Sequence, residues 1–248
     1  MPTKRTLSLL VLLPVSLGLA QDNGAVGSLQ GLVTDPQGVP LAGAVVRYLT
    51  PSPSARPSAR PGGVSASNQV PNIVTGSAAA DSNGRFAVTG LPVGPLLLCA
   101  SVPGAPYLDP CTWGNALATS VSAGSTASTA LVLTRGVYLN IRIKDPMHLL
   151  PQVQDGPWTP RKLLVGVAYG AGAYQGAQNT SVDSGGRNYQ MIVPAAKPFS
   201  IWLYSSDVAL ADASGTAVAS PAGPSFQAVP GTDQNFTFTV TGLARSAQ

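Results

Sequence analysis

The sequence predicts an all-β protein: two tandem antiparallel β-sandwich domains behind a cleavable leader. Three observations carry that expectation. First, 27 Gly and 23 Pro stand among 248 residues, all ten acidic residues are Asp, and only 10% of residues are charged. So many helix breakers and so little Glu and Lys exclude a helical bundle or coiled coil. Second, apolar and polar residues alternate strictly in short runs. Val137, Leu139, Ile141 and Ile143 interleave with Tyr138, Asn140, Arg142 and Lys144, and Phe236, Phe238 and Val240 interleave with Thr237, Thr239 and Thr241. Period two puts one face on a core and the other in water. Third, landmarks recur in one order. Asp81-Ser82-Asn83-Gly84-Arg85 precedes Pro92 just as Asp183-Ser184-Gly185-Gly186-Arg187 precedes Pro194. Asp-Pro turns open both halves, at Asp35-Pro36 and Asp145-Pro146, and a Thr-flanked strand closes each. Ordered landmarks of this kind mark two copies of one unit.

Residues 1–20 read as a signal peptide. Lys4 and Arg5 form a basic start, Leu7 to Ala20 an apolar stretch, and Gly18-Leu19-Ala20 a small-residue cleavage site. The stretch is too short for a spanning helix. The mature chain then begins at Gln21, and no later stretch is long and apolar enough to span a bilayer. The expected location is export, whether periplasmic, on the outer surface or extracellular. Losing Lys4 and Arg5 from a formal charge of +4 leaves the mature chain nearly neutral. That excludes a nucleic-acid binder, which needs a clustered basic face.

The first domain is expected over residues 21–135. Its runs are Leu29–Thr34, Ala44–Leu49, Arg85–Val88, Leu96–Ser101 and Thr129–Leu133. Residues 51–76, rich in Pro, Ser and Arg, bury too little apolar surface to repay ordering and read as a loop. Asn83-Gly84 suits a hairpin turn, which needs positive φ. The second domain, a diverged copy, is expected over residues 136–248. Its further runs are Leu163–Tyr169, Tyr189–Val193 and Phe199–Tyr204. Cys99 and Cys111, the two cysteines of an exported chain, are expected to form a disulfide. A redox or metal site is the rival reading, but it lacks CxxC spacing and a neighbouring His.

The stretches Gly27–Leu49 and Ala80–Gly104 resemble the carboxypeptidase regulatory-like domain. Gly31, Val33, Asp35, Gly38, Pro40, Ala44 and Val46 fill the first motif. Asp81, Gly84, Phe86, Leu91, Pro92 and Gly94 fill the second. Pro95-Leu96 replaces an aromatic that often follows the last Gly, and the Pro/Ser insertion is extra. The second half keeps Asp183, Gly186 and Pro194 but has Tyr189 displaced. The resemblance implies a prealbumin-like sandwich of about seven strands, related in fold to starch-binding-like modules. It supplies no catalytic residue.

No enzyme signature emerges. The single His, His148, sits in a turn, and no G-x-S-x-G elbow marks a nucleophile. The Asp81 turn lacks the Glu that would complete a Ca²⁺ loop, so neither metal nor cofactor is expected. Sugar rings stack on exposed aromatic faces. Trp158, in a Pro-bounded loop, and Tyr169 and Tyr174, flanking a Gly-rich loop, are the candidate ligand-binding residues. Trp113 is expected on the disulfide and Trp202 in the core. The first functional reading is a secreted, non-catalytic binding module for carbohydrate or protein. The alternative is a structural or adhesion spacer of the cell envelope, and an unrecognised hydrolase comes last. The expected partner is a glycan or an envelope protein. Asn179 and Asn235 begin Asn-x-Ser/Thr sequences, which matter only in a glycosylating host.

Overall fold

A computed structural model describes residues 26–50, 73–154, 163–170, 173–218 and 221–244. Strands β1 (Val26–Thr34), β2 (Val45–Thr50), β3 (Ile73–Ala79), β4 (Arg85–Pro92), β5 (Gly94–Ser101), β6 (Leu117–Val121) and β7 (Thr126–Val132) build the first sandwich. Strands β8 (Val137–Lys144), β9 (Leu164–Tyr169), β10 (Ala173–Gly176), β11 (Gln178–Asp183) and β12 (Gly186–Val193) begin the second. It is completed by β13 (Pro198–Tyr204), β14 (Val208–Ala211), β15 (Ala222–Gln227) and β16 (Gln234–Leu243). No helix occurs among the described residues. Residues 1–20, expected as a leader, and Trp158 lie outside them, as do residues 51–72.

The two sandwiches share a strand plan. The first stacks a β4-β1-β7 sheet on a β3-β2-β5-β6 sheet. The second stacks β12-β8-β16 on β10-β9-β13-β15, and adds β11 and β14 at the edges of the former sheet. Thus β1 corresponds to β8, β4 to β12, β7 to β16, β2 to β9, β3 to β10, β5 to β13 and β6 to β15. Each half has its own core. Leu29, Val33, Val46, Phe86, Leu98 and Leu131 lie in one. Leu139, Ile141, Val167, Ile201, Phe238 and Val240 lie in the other. Each such side chain, fully buried, contributes about 1.5–3 kcal/mol.

The match reaches single residues. Gly31 pairs with Phe86 across β1 and β4, and Ile141 pairs with Tyr189 across β8 and β12. Both aromatics are buried. Tyr189, displaced in the sequence motif, therefore recovers the pairing position of Phe86. A Cβ on Gly84 would lie 2.6 Å from the Val33 carbonyl oxygen, and one on Gly186 would lie 1.9 Å from that of Ile143. In both halves the strand after the Asp turn approaches the first strand too closely for a side chain.

Three expectations need correction. The sandwiches are not wholly antiparallel: β7 runs parallel to β1 and β16 parallel to β8. Each closing strand arrives from the opposite sheet, so no hairpin fixes its direction. The loop expected over residues 51–76 ends earlier, because β3 begins at Ile73 and pairs with β2. The Asp81 turn closes no hairpin. It carries the chain from β3 in one sheet to β4 in the other, with the Asp81 carboxylate accepting the Asn83 and Arg85 amides, each at 2.8 Å. The Asp183 turn does join paired strands, β11 and β12.

Candidate functional site

The loop between β5 and β6 is where the first sandwich departs most from a bare sheet pair. Cys99 on β5 and Cys111 in the loop form a disulfide, with Cα atoms 5.3 Å apart. Arg47 on β2 stands beside Cys99 in register and forms an ion pair with Asp109 of the loop. The other Asp109 oxygen accepts the Cys111 amide at 2.9 Å. One carboxylate thus organises the turn and joins it to the sheet, and the disulfide fixes the same spot covalently. The loop lies over the outer face of β2 and β5.

From there the loop reaches the second sandwich. The Leu108 amide donates to the Thr134 carbonyl at 2.9 Å, and the Gly136 amide donates to the Pro106 carbonyl at 2.6 Å. The link from β7 to β8 is therefore hydrogen-bonded to the loop on both sides. A Cβ on Gly136 would lie 2.6 Å from the Val193 carbonyl oxygen and 2.8 Å from the Leu108 side chain. Trp113 then packs against the core of the second sandwich. Its ring centroid is 5.3 Å from that of Tyr169 and 6.0 Å from that of Phe199. Trp113, which the sequence places on the disulfide, has its ring partners in the other half. Beside this junction opens a cleft of about 430 Å³, lined among others by Arg47, Asp109, Trp113, Tyr138 and Gln190.

Ligand atoms of Cys99, Asp109 and Cys111 lie within 4.8 Å of one another. Both sulfurs are bonded to each other and are not thiolates, so the group does not fit a metal ion. His148 sits exposed in the turn after β8, with φ 51°. The carboxylate nearest in sequence, Asp145, is fully buried and accepts the Leu149 and Leu150 amides at 3.0 and 2.7 Å. It holds the turn together.

The candidate aromatics separate. Trp158 lies outside the described residues. Tyr169 and Tyr174 flank one turn but occupy opposite faces of the sheet. Tyr169 faces inward, with its ring 6.1 Å from Phe199. Tyr174 faces outward, 40% exposed, and pairs with Trp202 at a centroid separation of 5.5 Å. Its hydroxyl donates to the Val165 carbonyl at 3.2 Å, and burial there pushes its pKa up. Trp202 is not in the core. Phe199, Ile201 and Leu203 point inward from β13, while Trp202 points out with Tyr204, which is 45% exposed. The alternation in the sequence already assigns Trp202 to the face opposite those three.

Correspondence between the halves makes this face informative. Leu96, Leu98 and Ala100 of β5 match Phe199, Ile201 and Leu203 of β13 in burial order. Cys99 therefore occupies the position of Trp202. Arg47, paired with Cys99, corresponds to Gly166, paired with Trp202. One half carries a disulfide and an ion pair where the other carries a half-buried Trp202 paired with a glycine.

No family model and no curated protein matches the chain. Among solved structures it is similar to the Bacillus anthracis TIE protein, at 14% identity over 87% of this chain and 34% of that one, with a TM-score of 0.31. It is similar to a streptococcal ancillary pilin, at 14% identity over 87% of this chain and 62% of that one, with a TM-score of 0.38. The shaft pilin spaA of Lactobacillus rhamnosus GG gives 11% identity over 89% and 98%, with a TM-score of 0.30. The chain thus spans about a third of the first protein and under two thirds of the second. The fold itself is an all-β tandem sandwich, and the role of the chain has to come from its own residues.

Proposed function

We propose that this is an exported, non-catalytic strut of the cell envelope, of the structural or adhesion kind. In this reading a carboxypeptidase regulatory-like sandwich is followed by a diverged copy. The junction carries the reading. Domains in tandem move relative to one another unless their interface is built to stop them. Here the link is hydrogen-bonded to a loop that is itself braced by the Cys99–Cys111 disulfide and the Arg47–Asp109 pair. Trp113 anchors that loop on the second core. Such bracing suits a part that must hold a fixed shape outside the cell, where a disulfide persists. Export rests on the Lys4–Ala20 leader pattern.

The test is small-angle scattering, with distance distributions between spin labels placed one on each sandwich. The native chain is expected to give a narrow distribution. Trp113→Ala is expected to broaden it while both sandwiches stay folded. A broad distribution in the native chain would sink the proposal. A second reading, a glycan-binding module, is favoured by one observation: the exposed Tyr174 and Tyr204, with the half-buried Trp202 beside them, on the outer face of the second sandwich.

A further inference from the structure

We infer that the outer face of the β10-β9-β13-β15 sheet binds a neutral polysaccharide, with Trp202 as its central ring and Tyr174 and Tyr204 beside it. The inference rests on the glycan-binding reading, gives it a site and a ligand class, and leaves the strut untouched.

The face is built by period two. Tyr204 and Trp202 stand two apart on β13, next to Leu164 and Gly166 of β9. Tyr174 of β10 closes against Trp202 across β9, which leaves Trp202 half-buried and Tyr174 40% exposed. Leu164 adds a 38% exposed aliphatic surface at the Tyr204 end. At the other end the Ser200 and Ser225 hydroxyls share a hydrogen bond of 2.9 Å, giving a donor and acceptor pair beside the rings. In the first sandwich the matching face lies under the disulfide loop.

Charge selects the occupant. Not one residue of β9, β10, β13 or β15 is charged. The other sheet of the same sandwich, by contrast, carries Arg142, Lys144 and Asp183 on its polar face. Among the residues of these four strands an anionic polymer, nucleic acid or acidic peptide therefore meets no cation, and a basic one meets no carboxylate. A neutral sugar presents what remains. Its C–H face packs on the aromatic rings, and its hydroxyls exchange hydrogen bonds with neutral groups such as the two serines.

The experiment is affinity electrophoresis of the full exported chain, disulfide intact. The gels contain hydroxyethylcellulose, amylopectin or galactomannan, with alginate and chitosan as charged counterparts. Retardation by at least one neutral polymer is expected. Trp202→Ala should weaken it about tenfold, the loss expected from removing a stacked ring. Tyr204→Ala, a more exposed site that keeps the fold, should weaken it less but measurably. Circular dichroism checks that each variant is folded, and Trp202→Phe, which keeps a ring, should retain most of the binding. Retardation by charged polymers alone would overturn the neutral ligand and keep a glycan module. Retardation unchanged in both alanine variants would overturn the site. No retardation by any polymer would overturn both and leave the face to a protein partner.

Discussion

The two sandwiches solve one problem differently. Each has a middle pair of strands, β2 and β5 or β9 and β13, whose outer face must be covered, charged or left to a ligand. In the first, Arg47 and Cys99 recruit their own loop through Asp109 and Cys111. In the second, Gly166 and Trp202 hold those positions, and among the described residues no disulfide or ion pair ties a loop to that face. The inner faces of the same strands keep one burial order. The lesson is that core positions fix the fold while outer positions of the same strands are free to change role. The closed face then serves the other half, because the loop it holds delivers Trp113 to the second core.

The largest expected effect comes from cutting the bond that closes the first face. Replacing both cysteines, Cys99→Ser with Cys111→Ser, should lower unfolding free energy by about 3 kcal/mol, the chain-entropy value for a short loop. The comparison adds a sharper expectation. Because Trp113 rides on that loop, the second sandwich should lose stability too, seen as earlier amide exchange at Tyr169 and Phe199. Loss confined to the first sandwich would break the link between the faces. A loss well under 1 kcal/mol would assign the loop to the Arg47–Asp109 pair instead.

Much of this was legible in the sequence, for stated reasons. Strict alternation gives β8 and β16, since a half-buried strand must alternate. The disulfide follows from two cysteines and an expected export leader. The repeat follows from matched Asp turns. What escaped are elements whose signal is weak or non-local. Strands β3, β6, β10, β11, β14 and β15 are short or rich in Gly, Ala and Ser, so their pairing comes from neighbours and not from their own pattern. The sequence places Trp202 in the core because its strand is mostly apolar, although its parity with Phe199, Ile201 and Leu203 gives the outer face. Trp113 and Tyr169 meet across the junction, and no spacing in the chain encodes that contact. Residues 51–72 and Trp158 stay outside the described residues.

A smaller effect tests whether the halves are copies at the level of single turns. His148 corresponds to Gly38. Both follow an Asp-Pro, both amides donate to the Asp carbonyl, at 3.2 and 3.0 Å, and both have positive φ, 51° and 81°. An L-residue there pays about 1–2 kcal/mol, and glycine returns roughly 0.4–1 kcal/mol of that through the freedom of the unfolded chain. His148→Gly should therefore stabilise by up to about 1 kcal/mol in urea unfolding. Gly38→Ala should destabilise by a similar amount. If His148→Gly destabilises, the imidazole makes a contact the turn needs, and the two positions are not equivalent.

The smallest effect concerns acid. Arg142 on β8 holds Asp183 with two hydrogen bonds of 2.7 Å, where the first sandwich has Leu32 in place of the arginine. That guanidinium, helped by the Gly185 amide, lowers the Asp183 pKa to about 2. An unfolded Asp titrates near 3.9. A carboxylate depressed on folding contributes stability that is fully present above the unfolded value and is lost as pH falls through the folded one. The contribution should therefore fade between about pH 4 and pH 2. Asp212 is lowered too, first by the Ser214 hydroxyl, so some acid sensitivity persists without Arg142. Because Asp183 is exposed, salt should blunt the effect. Arg142→Met should raise the Asp183 pKa in an NMR titration and flatten the loss of stability between pH 4 and pH 2. A pKa unmoved by Arg142→Met would give the Gly185 amide the leading part and make the β11–β12 hairpin, and not the arginine, what distinguishes this turn from its counterpart at Asp81.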